Sequence, residues 1–124
     1  MDENCIFCKI IKGEIPCKKV YEDEKVLGFL DINPHGDGHV LLIPKEHKTD
    51  IYELDDETFL KIHHIGKGLT KKILQILKKE GINICYNYGS EQEVKHFHLH
   101  LIPEISKGAS MDIDKVYEIL KKEL

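Results

Sequence analysis

The chain has 124 residues, 41% of them hydrophobic, and a formal net charge of -4 from 18 basic and 22 acidic residues. This length predicts one globular domain with its own core, and the charge argues against a protein that coats DNA or RNA by bulk electrostatics. No apolar run approaches the length of a membrane span and no leader-like segment opens the chain, so we expect a cytoplasmic protein without a membrane partner. In a reducing compartment the four cysteines favour thiols or metal ligands over disulfides.

The first part of the chain predicts a short helix followed by three strands. Asn4 is placed to cap the helix and Gly13 to end it. The polar pair Asp23-Glu24 predicts the turn of a hairpin, and residues 33–38 are dense in turn formers. The three predicted strands are Lys19 to Glu22, Lys25 to Ile32 and His39 to Pro44.

The second part predicts one long helix, two strands and a closing helix. The helical period begins at Asp55 or Asp56 and continues to Glu80, with Gly81 as its stop. Gly66 and Gly68 within it indicate close packing or a bend, since each costs about 1 kcal/mol relative to alanine. The later elements are strands Ile82 to Tyr88 and Lys95 to Pro103 around a polar loop, Gly89 to Val94, and a helix from Asp112 to Leu124. Short turns around a single long helix favour a mainly antiparallel α+β fold.

Three histidines alternate with apolar residues in the run from His96 to His100. In a strand the imidazoles project to one face, and residues four apart lie about 13 Å apart, whereas a zinc–nitrogen bond is only about 2.0 Å long. One shared ion is therefore not expected. Because an imidazole can attack phosphorus when its second nitrogen is held by a hydrogen bond, the row of histidines suits phosphate chemistry. The structural alternative is a set of half-buried histidines bonded to backbone carbonyls.

Three separated motifs resemble the histidine triad (HIT) superfamily, specifically its Hint-like branch. They are Cys5 to Pro16, Phe29 to Pro34 leading into Gly38 to His47, and His96 to Pro103. The resemblance implies a HIT-like α+β fold, with a mainly antiparallel five-stranded sheet, one long helix, a short amino-terminal helix and a carboxy-terminal helical extension. It implies a HIT domain over residues 1–104, with residues 105–124 as the extension packed on the same domain.

The resemblance also implies a hydrolase or transferase that binds purine nucleotides and cleaves nucleoside 5′-monophosphate conjugates, of phosphoramidate or adenylate type, through a nucleotidyl-histidine intermediate. His98 would be the nucleophile, with His100 and His39 stabilising phosphoryl charge and assisting proton transfer. Asp31 would accept hydrogen bonds from the ribose hydroxyls. The other nucleotide-binding residues implied are Phe7, Ile10, Phe29, Ile32 and Leu41 around the base, and Asn87, Gln92, Glu93 and Val94 in the phosphate loop.

The pair Cys5 and Cys8 is weak evidence of a metal site by itself, because buried thiols and redox motifs share its spacing. The resemblance implies a structural zinc held by Cys5, Cys8, His47 and His96, with four unmetallated side chains as the alternative. No organic cofactor is implied. A two-fold homodimer is implied as well.

The loop before the triad departs from the family's pattern. It is shorter than usual, Glu91 replaces a small residue, and Glu104 stands where a basic residue is common. Such negative charge is expected to weaken anion binding. These departures support one alternative function, a non-catalytic nucleotide-sensing or scaffold module. A second alternative is a dinucleoside polyphosphate hydrolase, as in another branch of the family, although the amino-terminal cysteine pair favours the Hint-like branch. The residues expected to be only packing or solvated are Cys17, Cys85, His35, His63 and His64.

Overall fold

A computed structural model describes residues 3–124. The elements are α1 (Ile6–Ile11), β1 (Lys19–Glu22), β2 (Val26–Leu30), β3 (Val40–Pro44), α2 (Asp56–Leu77), β4 (Ile82–Cys85), β5 (Leu99–Pro103) and α3 (Ile113–Glu123). The strands form a five-stranded antiparallel sheet with strand order β1-β2-β3-β5-β4. The predicted α+β fold, with one long helix between short-linked strands, is confirmed. Within the described residues no helix is both long and apolar enough to cross a membrane.

The central strands β2 and β3 are buried on both faces. Successive side chains of β3 point to opposite faces of the sheet. Val40 and Leu42 pack in a core with α2 and α3. Leu41 and Ile43 pack in a second core with α1. Leu41 pairs with His100 of β5, and directly opposite side chains share a face of the sheet. His100 therefore lies on the α1 side of the sheet, where the second core leaves room for a site.

Gly66 lets α2 lie close to the sheet. A Cβ atom there would lie 3.3 Å from the Leu99 side chain and 3.5 Å from that of Leu42, so a larger residue would push the helix outward. Close packing, one of the two explanations predicted for the helix glycines, is confirmed at this position. A Cβ atom at Gly68 would have no neighbouring atom within 4 Å, so this glycine faces open space.

The predicted end of α2 at Gly81 is wrong, because the helix stops at Leu77. Lys78 adopts a left-handed backbone with φ 56°, and the amides of Lys78 and Lys79 both donate to the Leu74 carbonyl. The bond from Lys79 is the one that characterises a Schellman ending, and here a lysine takes the left-handed position where glycine is usual. Asn4 likewise does not cap α1: the cap is Cys5, whose sulfur accepts from the Cys8 amide at 3.4 Å.

The two strands around the polar loop are shorter than predicted. β4 ends at Cys85 instead of Tyr88, and β5 begins at Leu99 instead of Lys95. Before β5 the Phe97 amide donates to the Lys48 carbonyl at 2.7 Å, so this part of the backbone bonds to a loop. The predicted alternation of faces nevertheless continues through it, because Phe97 joins the same core as Leu99.

The carboxy-terminal helix α3 packs on the α2 side of the sheet. Val116 and Leu120 are buried in the core that α2 covers, at 3% and 0% exposure. Lys18, just before β1, forms an ion pair with Asp114 at 2.8 Å. The segment that leads into α3 is held separately by one buried carboxylate.

Asp37 ties this segment to the turn before β3. Its side chain is almost fully buried and accepts from the Ser110 and Met111 amides, both at 2.9 Å, and from the Ser110 hydroxyl at 3.2 Å. Lys79 Nζ lies 3.4 Å away. Burial alone would raise the pKa of Asp37, but these donors outweigh it and the pKa is lowered.

We expect Asp37→Asn to reduce the free energy of unfolding by about 2 kcal/mol, since an amide offers one acceptor oxygen and no charge to this set of donors. Asp112→Asn is the matched control, because Asp112 is an exposed helix cap where asparagine serves equally well. Urea denaturation measures both variants. Equal stability of the two would show that the Asp37 contacts do not stabilise the fold.

Candidate active site and metal centre

Cys5, Cys8, His47 and His96 come together at the amino-terminal end of α1. Cys8 Sγ lies 3.2 Å from His47 Nδ1, and Cys5 Sγ lies 3.3 Å from His96 Nδ1. All four ligand atoms lie within 4.8 Å of one another. The cysteines come from the first turn of α1 and the histidines from the segments after β3 and before β5. The cluster could hold a metal ion.

The donor set fits a four-coordinate cation. His96 Nε2 lies 2.8 Å from the Pro44 carbonyl, which can only accept, so the proton sits on Nε2 and the Nδ1 lone pair faces the sulfurs. Around a tetrahedral zinc, nitrogen and sulfur ligands lie about 3.6 Å apart, and the sulfur–nitrogen contacts here span 3.2 to 3.6 Å. Burial raises the pKa of Cys5, a cost that a bound cation would offset.

His98 is buried beside this cluster, with 7% of its surface exposed. Its Nδ1 lies 2.8 Å from the His96 carbonyl, so that nitrogen carries the proton and Nε2 keeps its lone pair. Burial lowers the pKa of His98, and the His96 carbonyl, Asp31 and Glu93 oppose the shift only partly. The ring is therefore neutral at pH 7, with one nitrogen fixed and the other available for attack.

A hydrogen-bonded row connects the turn before β3 to the triad. The His35 amide donates to His39 Nδ1 at 3.1 Å, so the His39 proton sits on Nε2, which lies 3.0 Å from His100 Nδ1. His100 must then carry its own proton on Nε2. Burial is the main cause that lowers the pKa of His39 and of His100 to about 4. The row presents a neutral N–H donor next to His98, whose ring centroid lies 4.8 Å from that of His100.

Asp31 lies at the end of β2, beside this row. Its Oδ1 accepts from the Asn33 amide at 2.9 Å. Oδ2 lies 3.6 Å from His39 Nε2. A pKa near 4 keeps His39 neutral at pH 7, so this contact is not an ion pair. Asp31 therefore keeps a carboxylate oxygen available to a ligand.

Two cavities meet at the triad. The apolar cavity has a volume of about 220 Å³, and the predicted base-binding residues Phe7, Ile10, Phe29, Ile32 and Leu41 line it together with Val94. The polar cavity, of about 160 Å³, is lined by Asn87, His35, His39, Cys85, Glu91 and Ile102. Both cavities are also bordered by Asp31, Glu93, His98 and His100. His98 and His100 thus stand between an apolar and a polar compartment.

Three lining residues of the polar cavity have no site role predicted from the sequence: His35, Cys85 and Ile102. Glu91, which also lines it, is predicted only to weaken anion binding. His35 reaches the cavity because the turn brings its ring to 5.6 Å from that of His39. Cys85 reaches it because it pairs with His100 across β4 and β5. The spacing of four residues between the two histidines is a signal that could have indicated His35.

Two predicted or suspected site residues lie outside both cavities. Gln92 is buried in the loop, where its Nε2 donates to the Thr49 carbonyl at 2.7 Å and its Oε1 accepts from the Gly89 amide at 3.1 Å. Glu104 lies 3.3 Å from Lys107 and 3.7 Å from Lys79. Its charge is therefore compensated locally, whereas Glu91 and Glu93 border the polar cavity directly.

We expect the two neutral imidazoles His39 and His100 to make the fold sensitive to acid. Their folded pKa of about 4 lies below an unfolded value of about 6.5, so between these pH values only the unfolded chain takes up protons. Stability is complete above about pH 6.5 and falls as the pH drops toward 4. From pH 7 to pH 5 each imidazole should remove about 2 kcal/mol from the free energy of unfolding.

Denaturant titration of wild type and His100→Gln at both pH values measures this contribution. The variant should lose about 2 kcal/mol less than wild type between pH 7 and pH 5, because one titrating ring is gone. An identical loss in both proteins would contradict the assignment.

Known proteins resemble this chain in sequence and in structure. A family model described as scavenger mRNA decapping enzyme C-term binding matches residues 4–115. An uncharacterized HIT-like protein of Methanocaldococcus jannaschii is 44% identical over 131 residues, covering 94% of this chain and 98% of that protein. The adenosine 5′-monophosphoramidase hnt1 of Schizosaccharomyces pombe is 45% identical over 103 residues, covering 82% of this chain and 74% of that protein. A Zn-bound histidine triad family protein from Mycobacterium smegmatis matches with a TM-score of 0.88 at 34% identity, covering 97% and 92%.

Proposed function

Because this chain belongs to the histidine triad family, we propose that it is a nucleotide hydrolase that cleaves nucleoside 5′-monophosphoramidates at the α-phosphorus, with His98 as the nucleophile. The observation that carries the proposal is the protonation and position of the His98 ring. Its Nδ1 proton is held by the His96 carbonyl, and the ring lies where the two cavities meet. The relative from Schizosaccharomyces pombe, named as an adenosine 5′-monophosphoramidase, supports this substrate class.

The nucleoside occupies the apolar cavity in this proposal. Phe7 and Phe29 meet edge to face with ring centroids 5.5 Å apart, and Leu41 lies below them, which forms an apolar slot for a purine base. Asp31 borders the slot and accepts hydrogen bonds from the ribose hydroxyls. This placement brings the 5′-phosphate to His98 and His100, which border the same cavity.

In the first step, the Nε2 lone pair of His98 forms a bond to phosphorus while the bond from phosphorus to the leaving nitrogen breaks. The leaving group departs as an amine after taking one proton from solvent. The His98 ring becomes positively charged, and the His96 carbonyl stabilises that charge at Nδ1. In the second step water attacks phosphorus, the bond to His98 breaks, and one proton returns to solvent.

His100 and His39 assist by holding protons in fixed positions. The His39 tautomer leaves His100 with an N–H on Nε2, which donates to a phosphoryl oxygen as charge develops there. Asn87 and the backbone of residues 93–94 would border the phosphate from the loop side, whereas Gln92 is bonded within the loop. Because both rings are neutral, they stabilise by directed dipoles that need no reorientation during the reaction.

We also propose that Cys5, Cys8, His47 and His96 hold a structural zinc. The support is the fit of the four donor atoms and the Zn-bound relative from Mycobacterium smegmatis. Four protein ligands leave no open coordination position, so the ion would stabilise the site without contacting substrate. His96 would then be fixed on one side by the ion and would hold His98 through its carbonyl on the other.

The test of the proposed activity is turnover of adenosine 5′-phosphoramidate, with release of adenosine monophosphate followed by chromatography. We expect turnover by the zinc-replete protein, and we expect diadenosine tetraphosphate to react more slowly because its leaving group is a large anion. Nucleotide binding by calorimetry without turnover of any phosphoramidate would contradict the proposal and favour a nucleotide-sensing module.

We propose that the chain forms a homodimer through the edge of the sheet at β4. This strand has a neighbour on one side only, and Ile84, Tyr86 and Tyr88 in and after it are exposed. Ile84→Lys is expected to shift sedimentation from dimer to monomer at micromolar concentration. The control Ile105→Lys alters another exposed apolar residue and should stay dimeric. A wild-type monomer would contradict the proposal.

A further inference from the structure

The lining of the polar cavity indicates which leaving groups the protein would accept. Under the proposed function the nucleoside fills the apolar cavity and the phosphate lies at His98 and His100. The polar cavity is the other compartment that borders these two rings. The leaving group therefore has this compartment in which to lie before the bond to phosphorus breaks.

The charged side chains around the polar cavity are all acidic. Glu91 and Glu93 border it from the loop, and Asp31 borders it from the end of β2. No lysine or arginine is among the lining residues, and Lys95 of the same loop donates to the Gly89 carbonyl. In residues 3–124 neither loop glutamate takes part in an ion pair, so no cation in this part of the chain compensates either charge.

His39 and His100 do not cancel this charge at neutral pH, because burial lowers the pKa of each to about 4. His98 is 7% exposed, and no described residue bonds to its Nε2, so a buried reactive atom faces an acidic compartment.

We propose that Glu91 and Glu93 make this protein selective for leaving groups that carry a positive charge. The substrates are then nucleoside 5′-monophosphoramidates of amines that carry a second cationic group, such as a diamine. This inference rests on the proposed function. A cation in the polar cavity is attracted by both carboxylates, whereas a carboxylate or a phosphate on the leaving group is repelled.

The test compares three adenosine 5′-phosphoramidates with leaving amines of matched length: 1,4-diaminobutane, pentylamine and 4-aminobutanoate. We expect kcat/KM to fall in that order, with about a 10-fold difference between the cationic and the anionic substrate, because exposed charges interact weakly in water. Raising the salt concentration from about 0.05 to about 0.5 M shortens the Debye length by about threefold and should reduce the ratio.

Glu91→Gln/Glu93→Gln should bring the cationic-to-anionic ratio of kcat/KM close to one. The control Glu118→Gln/Glu123→Gln removes the same net charge from exposed positions on α3 and should keep the wild-type ratio. Hydrolysis of all three substrates at equal kcat/KM, or preference for 4-aminobutanoate, would overturn the selectivity and leave the proposed function standing. Failure to hydrolyse any of them would overturn the proposed function itself.

Discussion

His98→Ala is expected to lower kcat/KM for adenosine 5′-phosphoramidate by about 10⁴-fold, because it removes the atom that bonds to phosphorus. A water molecule could enter the space, but it would lack the fixed orientation that the His96 carbonyl gives to the ring. Steady-state release of adenosine monophosphate measures the loss. When the reaction is quenched without acid, mass spectrometry should detect an adenylyl group on His98 of the wild type. The variant should carry none.

The matched control for this substitution is His64→Ala. His64 is an exposed histidine of α2, away from both cavities, and its replacement should leave kcat/KM within about twofold of wild type. Thermal unfolding of both variants separates chemistry from folding, since His98 is buried. A His98→Ala protein that folds and retains activity within about threefold of wild type would exclude His98 as the nucleophile.

Much of the architecture could be predicted from local sequence patterns. The long helix and the strands carry strong periodicity, and the alternation from His96 to His100 specifies which side chains face the site. Local patterns failed where tertiary contacts determine an element's end. Tyr86 and Tyr88 have high strand propensity, yet β4 ends at Cys85.

Contacts between distant segments could not be predicted from these patterns. Asp37 and Ser110 are 73 residues apart, and their hydrogen bonds exist only because α3 returns to the turn before β3. Cys85 reaches the polar cavity through the register of β4 on β5, which no local motif encodes. Glu91 illustrates a different case: the sequence indicates that it weakens anion binding, and the cavity specifies which part of a ligand it would face.

The second large effect concerns the metal cluster. We expect wild type purified without chelator to contain about one zinc per chain, and Cys8→Ala to contain almost none, because Cys8 Sγ contacts both histidines of the cluster. If free zinc exceeds its Kd by 1,000-fold, loss of the ion removes about 4 kcal/mol of stability. For a chain of this size that corresponds to a fall in Tm of about 15 °C.

Elemental analysis and thermal unfolding test this expectation, with Cys17→Ala as the control because Cys17 is a half-buried thiol outside the cluster. The control should retain zinc. Cys8→Ala should also slow turnover, by less than His98→Ala does, since a loosened His96 no longer holds the His98 proton in place. Wild type that contains no zinc, or zinc content and Tm that are equal in wild type and Cys8→Ala, would contradict the proposed metal site.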